Sequence, residues 1–533
     1  MKTNRLTAIV LAALAFGACQ KDNLLNPDND LSGRLILEAE GMNGAKLAID
    51  GNASHWASGD EVWINGHAYT VDLSESGQAT VDVNGDNIEA PLQGVYPNSI
   101  YSSRSSNNVT VALPTSYTYA TCTDGGNTRQ NLQSPMMAYA ADGNKLVFKH
   151  LTAAVTVEIT NDFGIDLQVT SITVSSNLYQ LNGSRTFDIT NIVHDATAAD
   201  TALAATDGEK TVTMNCNSTP LIVASGQTKQ VQVPVLPVGL RNKFTITVNA
   251  KNPDDAEMTY TFTKTQASAG HALLRAQLGY APAKFGGQFK VAADTYVRFA
   301  PGNLQYQAST GTWRFAKHQY DVIGAANSNI SSSYSGWIDL FGYGTSGYST
   351  YYPYKSSTTN SDYIAQNLTG SYVEADWGYH NAILNGGNTT HQWRALTKNN
   401  WSGLNTYGRP TKATVAGVKG FLFFCEGYTH PSGLSALYHY GSAASGNFAE
   451  NVIDADDWAK MEVAGAIFLP ITGQRNGTTV DYFDSDERGY YWSTTNYNTT
   501  MSYSIKFTNY DALDYGLTSS KYLGMAVRLV RAD

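Results

Sequence analysis

The stretch from Ser331 to Tyr363 is rich in Tyr, Ser, Gly and Asn, and its tyrosines concentrate near position 350. Tyrosine gives a rigid amphipathic contact surface at little entropic cost, which is why it dominates antibody paratopes. Its ring face stacks on sugars and its hydroxyl donates or accepts hydrogen bonds. We therefore predict a ligand-binding surface here, with Tyr428–Tyr440 as a second candidate stretch, and select as contact residues Tyr348, Tyr351, Tyr352 and Tyr354.

The sequence contains no H-E-x-x-H, G-x-S-x-G or P-loop motif, each of which would indicate a reaction class. A glycosidase needs only two suitably spaced carboxylates, a pair that sequence neither shows nor excludes. We expect a protein that is not an enzyme and that uses no cofactor and no metal. One acidic cluster could bind Ca²⁺ through its carboxylate oxygens: Asp481, Asp484, Asp486 and Glu487. We favour the interpretation that this cluster is a solvated acidic loop.

The N-terminus carries signals for export and lipidation. Lys2 and Arg5 precede an apolar run that ends at Ala18, which is typical of a signal peptide and too short for a membrane span. The following Cys19 completes a segment that resembles a lipobox, so we predict that residues 1–18 are removed and that Cys19 is acylated. Residues 19–34 then form a polar lipidated tether, and Arg34 on it is an accessible site for a trypsin-like protease that would leave Leu35 as the new N-terminus.

Composition argues against two classes of protein and divides the chain into two parts. The 533 residues include only 15% charged side chains and carry a net charge of −10, which argues against a nucleic-acid binder. The hydrophobic content of 42% excludes a disordered chain. Tyrosine divides the chain into two parts, with 9 in residues 1–284 and 24 in residues 285–533. Cys122 and Cys216 are expected to be free thiols, because the two fall in different predicted domains.

Residues 35–284 show the alternation of a β-sandwich protein. In Leu151–Ile159 every second residue is apolar from Val155 onward, and turn clusters such as Asp124–Asn127 separate the runs. Many short strands without intervening helices favour antiparallel sandwiches over a parallel α/β sheet.

The order of these segments resembles the fimbrillin family of gut and oral bacteria. The resemblance rests on loose motifs spread over about 250 residues, namely Gly59–Val62, Leu113–Pro114 with Tyr117 and Tyr119, Ser134–Ala138 and Phe148–Val155. It implies two tandem Greek-key, transthyretin-like β-sandwiches, residues 35–146 and 147–284. It also implies a lipoprotein precursor at the outer membrane and cleavage after a basic residue, which Arg34 matches best. Assembly with other pilus subunits would occur by strand exchange, in which a donated strand pairs with the free backbone groups of an open sheet edge.

Residues 285–533 are similar to a different family, the "major paralogous" domain of surface proteins in the same bacteria. The motifs span nearly the whole segment: Trp313–Ala316, Gly336–Gly344, Trp377–Gly378, Trp393–Thr397, Gly465–Pro470, Gly473–Gly477, Gly489–Thr495 and Ala526–Arg531. The resemblance implies an α+β, C-type-lectin-like domain. Thr397 and Asp454 are predicted to cap its two helices, with Gly465 ending the second.

Within this domain the tryptophans Trp337, Trp377, Trp393 and Trp492 are predicted to be core residues, and Arg475 and Arg528 structural ion-pair partners. The sugar-binding Ca²⁺ motifs of C-type lectins are absent from the sequence. The formylglycine-generating relatives need paired cysteines, and this domain has only Cys425. Neither activity is therefore carried over. His150 is predicted to be a structural histidine at the junction of the sandwiches.

The leading hypothesis is a cell-surface lipoprotein of the outer membrane that is a tip or minor subunit of a fimbrium and adheres to a host or bacterial glycan or protein. The tip assignment follows from a predicted last strand, Met525–Val530, that leaves no tail to donate. The alternative is an outer-membrane glycan-binding lipoprotein of a nutrient-uptake system that keeps its anchor, with Arg34 uncut. An unrecognised hydrolase is the third hypothesis.

Overall fold

The computed structural model describes residues 33–40, 43–44, 56–75, 77–124, 127–192, 207–236, 238–239, 243–254, 257–265, 272–273, 277–355, 362–442, 445–481, 488–509 and 513–532. Over these ranges the fold is mainly β, as predicted, and the C-type-lectin-like assignment of residues 285–533 stays a prediction. None of the helices in these ranges is both long enough and apolar enough to cross a bilayer.

The N-terminal part is built on one eight-stranded sheet. Its strands, in spatial order, are His67–Thr70, Glu61–Ile64, Leu92–Tyr96, Met136–Ala140, Lys145–His150, Arg34–Ala39, Ala79–Asp82 and Asp72–Leu73. Side chains from both ends of the sheet, such as Val62 and Val81, share one buried core, so the sheet folds over on itself. The strand Arg34–Ala39 lies inside this sheet, parallel to Lys145–His150 and antiparallel to Ala79–Asp82.

Two larger sheets face each other in the next part of the chain. The first contains Asn43–Gly44, Gln277–Gly286, Ala153–Asp162 and Thr228–Val235, and the second contains Ser116–Thr118, Thr211–Asn215, Leu167–Ser176, Lys243–Lys251, Glu257–Thr265 and Leu221–Val223. Val157 and Val233 of one sheet share a core with Ile172 and Val248 of the other. The predicted alternation in Leu151–Ile159 is confirmed, since Val155, Val157 and Ile159 are all buried.

Strands on the two sides of position 146 share sheets. Asn108–Leu113 pairs with Gly183–Asp188 and with Tyr101–Ser105, and Ser116–Thr118 pairs with Thr211–Asn215. The boundary at 146/147 therefore stays a prediction, and so does the Greek-key connectivity. The remaining strands here are the short pairs Thr121–Asp124 with Asn127–Gln130 and Val238–Gly239 with Ala272–Leu273.

In the tyrosine-rich part, the described residues form five small sheets. Their strands are Phe289–Ala292, Thr295–Phe299, Leu529–Ala532 and Arg394–Ala395; Leu304–Gln307 and Thr312–Phe315; Val452–Ile453, Thr411–Val415, Val418–Phe424 and Ala466–Pro470; Gln474–Asn476 and Thr479–Asp481; and Gly489–Asn496, Met501–Phe507 and Thr518–Ser520. The strand Leu529–Ala532 lies between Thr295–Phe299 and Arg394–Ala395 rather than at an edge.

Three α-helices occur in the described ranges: α1 (Trp377–His380), α2 (Lys398–Tyr407) and α3 (Ala455–Val463). Both predicted helices are confirmed with their caps. The Thr397 hydroxyl accepts from the Asn400 N–H at 3.1 Å, and the Asp454 carboxylate accepts from the Asp457 N–H at 2.8 Å. Gly465, with φ of +97°, follows α3 as predicted. Short 3₁₀ turns cover Asn98–Ile100, Ile189–Asn191, Gly324–Ser328, Tyr348–Thr350 and Gly370–Ala375.

The aromatic framework follows the prediction with one exception. Trp377, Trp393 and Trp492 are fully buried, and Trp492 donates its indole N–H to the Phe341 carbonyl at 2.7 Å. Trp337 is only half-buried, because it lies at the surface with the Arg314 guanidinium stacked 3.8 Å above its ring.

The two framework arginines are structural, and uncharged oxygens accept their hydrogen bonds. Arg475 is buried and donates to the carbonyls of Leu340 and Gly477, at 3.1 Å each. Arg528 donates to the side-chain amide oxygens of Gln319 and Asn303. Burial lowers the pKa of each guanidinium to about 10. Among the described residues neither arginine forms a salt bridge, but Arg528 interacts electrostatically with the Glu462 carboxylate, so the predicted ion pairing stays a prediction.

His150 is structural, as predicted. It is buried, with Nδ1 3.0 Å from the Ser134 hydroxyl and Nε2 3.1 Å from the Glu40 carbonyl. Cys216 and Cys425 are free and buried, and burial raises the pKa of both thiols.

Candidate functional site

An open groove with a volume of about 570 Å³ lies among the loops of the tyrosine-rich part. We call it the tyrosine groove. Its walls come from three segments that are far apart in sequence: Tyr348, Ser349 and Tyr351; Tyr363, Ile364, Ala365, Gln366 and Tyr372; and Thr499 and Thr500. Two of the four predicted contact residues, Tyr348 and Tyr351, are therefore among its lining residues.

One wall is a strained turn. Tyr348–Thr350 forms a 3₁₀ turn in which Ser349 and Thr350 have φ of +50° and +72°. A positive φ is rare for any residue with a Cβ and more so for β-branched threonine, and it costs on the order of 1–3 kcal/mol. Such strain concentrates at ligand sites, where the surrounding structure holds the backbone in place. Here it sets the spacing of Tyr348 and Tyr351, whose rings both pack against the core beneath.

Other lining residues offer hydrogen-bonding groups. Tyr363 is buried, and its hydroxyl has no hydrogen-bond partner among the described residues. Burial raises the pKa of this phenol, so it stays protonated. Thr500 is held by the turn that joins Gly489–Asn496 to Met501–Phe507, where its N–H donates to Asn498 Oδ1 at 2.9 Å. A buried polar group without a partner is costly unless a ligand or water satisfies it.

The ten lining residues that the structure describes are all uncharged at neutral pH. Their polar groups are phenols, hydroxyls and one primary amide, which can both donate and accept. Tyrosine rings supply flat apolar faces between these groups. This combination suits a neutral polyhydroxylated ligand better than an ion.

A cluster of one carboxylate and two histidines contacts Tyr348, which lines the groove. The Glu374 carboxylate lies 3.2 Å from His380 Nδ1 and 3.4 Å from His391 Nε2. The His380 ring packs edge-on against Tyr348, with 5.9 Å between ring centroids. The cluster thereby connects α1 and the turn Gly370–Ala375 to the strained wall of the groove.

The other two predicted tyrosines form a pair beside the groove. Tyr352 and Tyr354 stack with centroids 5.4 Å apart and ring planes 8° from parallel, and neither is among the lining residues. Tyr352 is exposed and stays available as a contact residue, while Tyr354 packs against the core.

The structure describes only some of the other site residues that the sequence predicts. Cys19 lies outside the described residues. Arg34 is the first residue of its strand; its side chain is 60% exposed and lies 3.7 Å from the Asp72 carboxylate, whereas Leu35 is fully buried. Of the acidic cluster only Asp481 is described, and the described ranges hold no group of three or more potential ligands arranged for a metal ion.

Comparison with known proteins gives distant similarity only. No protein-family model and no curated protein matches the chain. Among solved structures it is similar to a protein from Bacteroides ovatus provisionally assigned to cell adhesion (12% identity, 45% of this chain and 87% of that chain, TM-score 0.26). It is also similar to a fimbrial protein from Bacteroides ovatus (10% identity, 94% and 99% of the two chains, TM-score 0.24). TM-scores this low do not establish a shared fold.

Proposed function

We propose that this protein acts in adhesion at the cell surface, as a tip or minor subunit of a pilus, and that it holds its ligand in the tyrosine groove. The observation that carries the proposal is the groove itself: an open cavity with four tyrosines on its walls, next to a backbone turn under strain. The lipobox-like segment at Cys19 supports a location at the outer membrane.

A neutral glycan is the ligand class that the groove suits best. The exposed faces of Tyr351 and Tyr372 can stack on pyranose rings, and the exposed Gln366 amide can bond sugar hydroxyls. A cavity of about 570 Å³ accommodates a short oligosaccharide rather than a single ring. Neither a charged side chain nor a metal is needed for this mode of binding.

A glycan array probed with the purified full chain tests the proposal. We expect hits among neutral oligosaccharides, and a loss of at least tenfold in affinity for Tyr351→Ala. Because Tyr351 also packs on the core, Gln366→Trp is the second variant: position 366 is exposed and a bulky ring there fills the groove without removing a packed side chain. Tyr280→Ala, an exposed tyrosine outside the tyrosine-rich part, is the matched control.

The proposal is wrong if neutral glycans bind and both groove variants keep the affinity of the control. An array without any hit would refute the glycan class as well.

The anchored glycan-binding lipoprotein of a nutrient-uptake system is the second candidate function, and the burial of Leu35 favours it. Strand exchange needs an open groove in the sheet, yet the strand Arg34–Ala39 fills the place between its two neighbours, and a cut after Arg34 would leave Leu35–Ala39 there. N-terminal analysis of protein from native outer membranes decides between the two. A mature start at Leu35 supports the pilus, and an acylated Cys19 supports the anchored binder.

A further inference from the structure

A second, smaller cavity of about 230 Å³ lies at the C-terminal end of α2. We call it the cationic pocket. It is lined by Lys290, Tyr407, Arg409, Phe424, Glu426 and Gly427. The tyrosine groove belongs to the other end of α2, because the Lys398 N–H there donates to Thr495, on the strand whose turn carries Thr499 and Thr500. The ten residues of α2 span about 15 Å, so the two cavities are separate.

The charge of this pocket differs from that of the chain. It holds two cations, Lys290 and Arg409, and one carboxylate, Glu426, within a protein of net charge −10. In the described part of the chain neither cation forms a salt bridge. Glu426 is engaged by the Tyr296 hydroxyl, which donates to it at 2.7 Å. A net positive cavity in an acidic protein attracts an anion selectively, because the rest of the surface repels it.

Aromatic rings hold both cations. Lys290 Nζ lies 5.1 Å from the Tyr407 ring centroid, and the Arg409 guanidinium lies 5.1 Å from that of Tyr440. Tyr440 itself packs on the buried Phe424, with 4.8 Å between centroids. Tyr407 is 43% exposed, so part of its ring stays open to a ligand. Lys290 also hydrogen-bonds to the Tyr296 hydroxyl. Neither a cation–π contact nor a neutral hydroxyl removes the charge of a cation, so both cations can attract an incoming anion.

The backbone at Arg409 is strained. Its φ is +50°, and it directly follows the helix C-cap, Gly408, at a place where glycine or asparagine would adopt this conformation at less cost. The guanidinium is fixed by a hydrogen bond from Nη2 to the Cys425 carbonyl at 2.8 Å. An arginine at a position that favours glycine indicates that its side chain is needed there.

We propose that the cationic pocket binds the carboxylate of an acidic sugar, such as a uronic acid residue of a glycan. The carboxylate lies between Lys290 Nζ and the Arg409 guanidinium, whose remaining N–H donors suit a planar carboxylate. The sugar ring covers the exposed part of Tyr407, and Glu426 accepts from a ring hydroxyl. The volume fits one pyranose ring. The site is independent of the tyrosine groove and of the ligand held there.

Titration of the full chain with D-glucuronate, followed by ligand-observed NMR at low ionic strength, tests this proposal. We expect saturable binding of D-glucuronate and none of D-glucose at the same concentration. Lys290→Met and Arg409→Asn should each weaken binding at least tenfold. Lys460→Met, which removes an exposed lysine from α3, is the control and should bind as the wild type does.

Two further measurements distinguish a loss of binding from a loss of folding and the cationic pocket from the tyrosine groove. Asparagine tolerates the left-handed backbone, which offsets the lost hydrogen bond to the Cys425 carbonyl, so Arg409→Asn should unfold at a denaturant concentration close to that of the wild type while binding is weakened. Gln366→Trp, which fills the tyrosine groove, should leave glucuronate binding unchanged. Equal affinity for acetate and D-glucuronate would overturn the assignment to a sugar, and unchanged binding in Lys290→Met and Arg409→Asn would overturn the site.

Discussion

The Arg298 guanidinium lies 3.2 Å from the Asp162 carboxylate, and both side chains are almost completely buried. Asp162 ends the strand Ala153–Asp162 of the facing sheets, and Arg298 lies on Thr295–Phe299 of the tyrosine-rich part. Lys284 Nζ approaches the other carboxylate oxygen at 2.9 Å. Arg531 adds a hydrogen bond to the Gly164 carbonyl at 2.9 Å. Buried polar contacts thus join the two parts of the chain.

Replacing Asp162 should destabilise this junction. Removing one partner of a buried ion pair leaves the other charge in a medium of low polarity, so we expect Asp162→Ala to lower the free energy of unfolding by ~3 kcal/mol. Lys284 is half exposed, and Lys284→Met should cost under about 1 kcal/mol. Urea unfolding of both variants measures the difference. Equal costs for the two would show that the contact with Arg298 contributes little.

Gly403 is the residue that lets α2 pack closely. A Cβ at this position would overlap the carbonyl oxygen of Val291 in Phe289–Ala292. Helix propensity alone predicts that Gly403→Ala stabilises by ~1 kcal/mol. Displacing a packed helix costs ~1–3 kcal/mol or more, so we expect a net loss of stability. Asn399→Ala on the exposed side of α2 is the control and should be neutral or slightly stabilising; thermal unfolding of both variants gives the sign.

The elements that could be predicted are those fixed by neighbouring residues. The alternation around Val155 and the caps Thr397 and Asp454 act within a few positions, and each produced the element expected. The four-residue helix α1 was missed, although Asp376 caps it, because one turn is too short to show helical periodicity. The partners of Arg475 and Arg528 were missed because they depend on contacts across the fold.

The candidate site could be predicted only where one segment supplies it. Tyr348, Tyr351 and Tyr363 belong to the predicted stretch, although Tyr363 was not selected as a contact residue, and the same signal could have extended to Tyr372. Thr500 reaches the groove from a distant hairpin, and no local pattern indicates that. The cationic pocket shows the same limit, since Lys290 and Arg409 are brought together only by the packing of α2 on its neighbouring strand.

Stability should depend on pH through three carboxyl groups. Burial raises the pKa of Asp339 to about 6 and the pKa values of Asp376 and Glu462 to about 7. The folded state therefore binds more protons than the unfolded chain between about pH 4 and pH 7, where unfolded carboxyls have already ionised. The free energy of unfolding should fall by a few kcal/mol as the pH rises through this window, which denaturant unfolding at pH 5 and pH 8 measures.

Glu462→Gln should reduce that dependence, because it removes one titrating group while Gln319 can still donate to the new amide oxygen. The exposed Asp456→Asn changes the net charge equally and should keep the full dependence. A wild-type stability that rises between pH 5 and pH 8 would contradict the expected direction of proton uptake.

Cleavage after Arg34 should be slow in the folded protein. A protease must bind several extended residues on both sides of the bond, yet Leu35 and Leu37 are buried and paired with Ala79–Asp82 and Lys145–His150. Trypsin should therefore cut the Arg34–Leu35 bond much more slowly in native conditions than in urea. Leu37→Ala removes a buried side chain and should lower the free energy of unfolding by ~2–5 kcal/mol, so cleavage of the folded protein should become faster. Glu38→Ala, on the exposed side of the same strand, is the control and should not change the rate. Mass spectrometry of timed digests measures both rates, and rapid cutting of the folded wild type would show that the strand opens freely and that Arg34 is accessible as the sequence predicts.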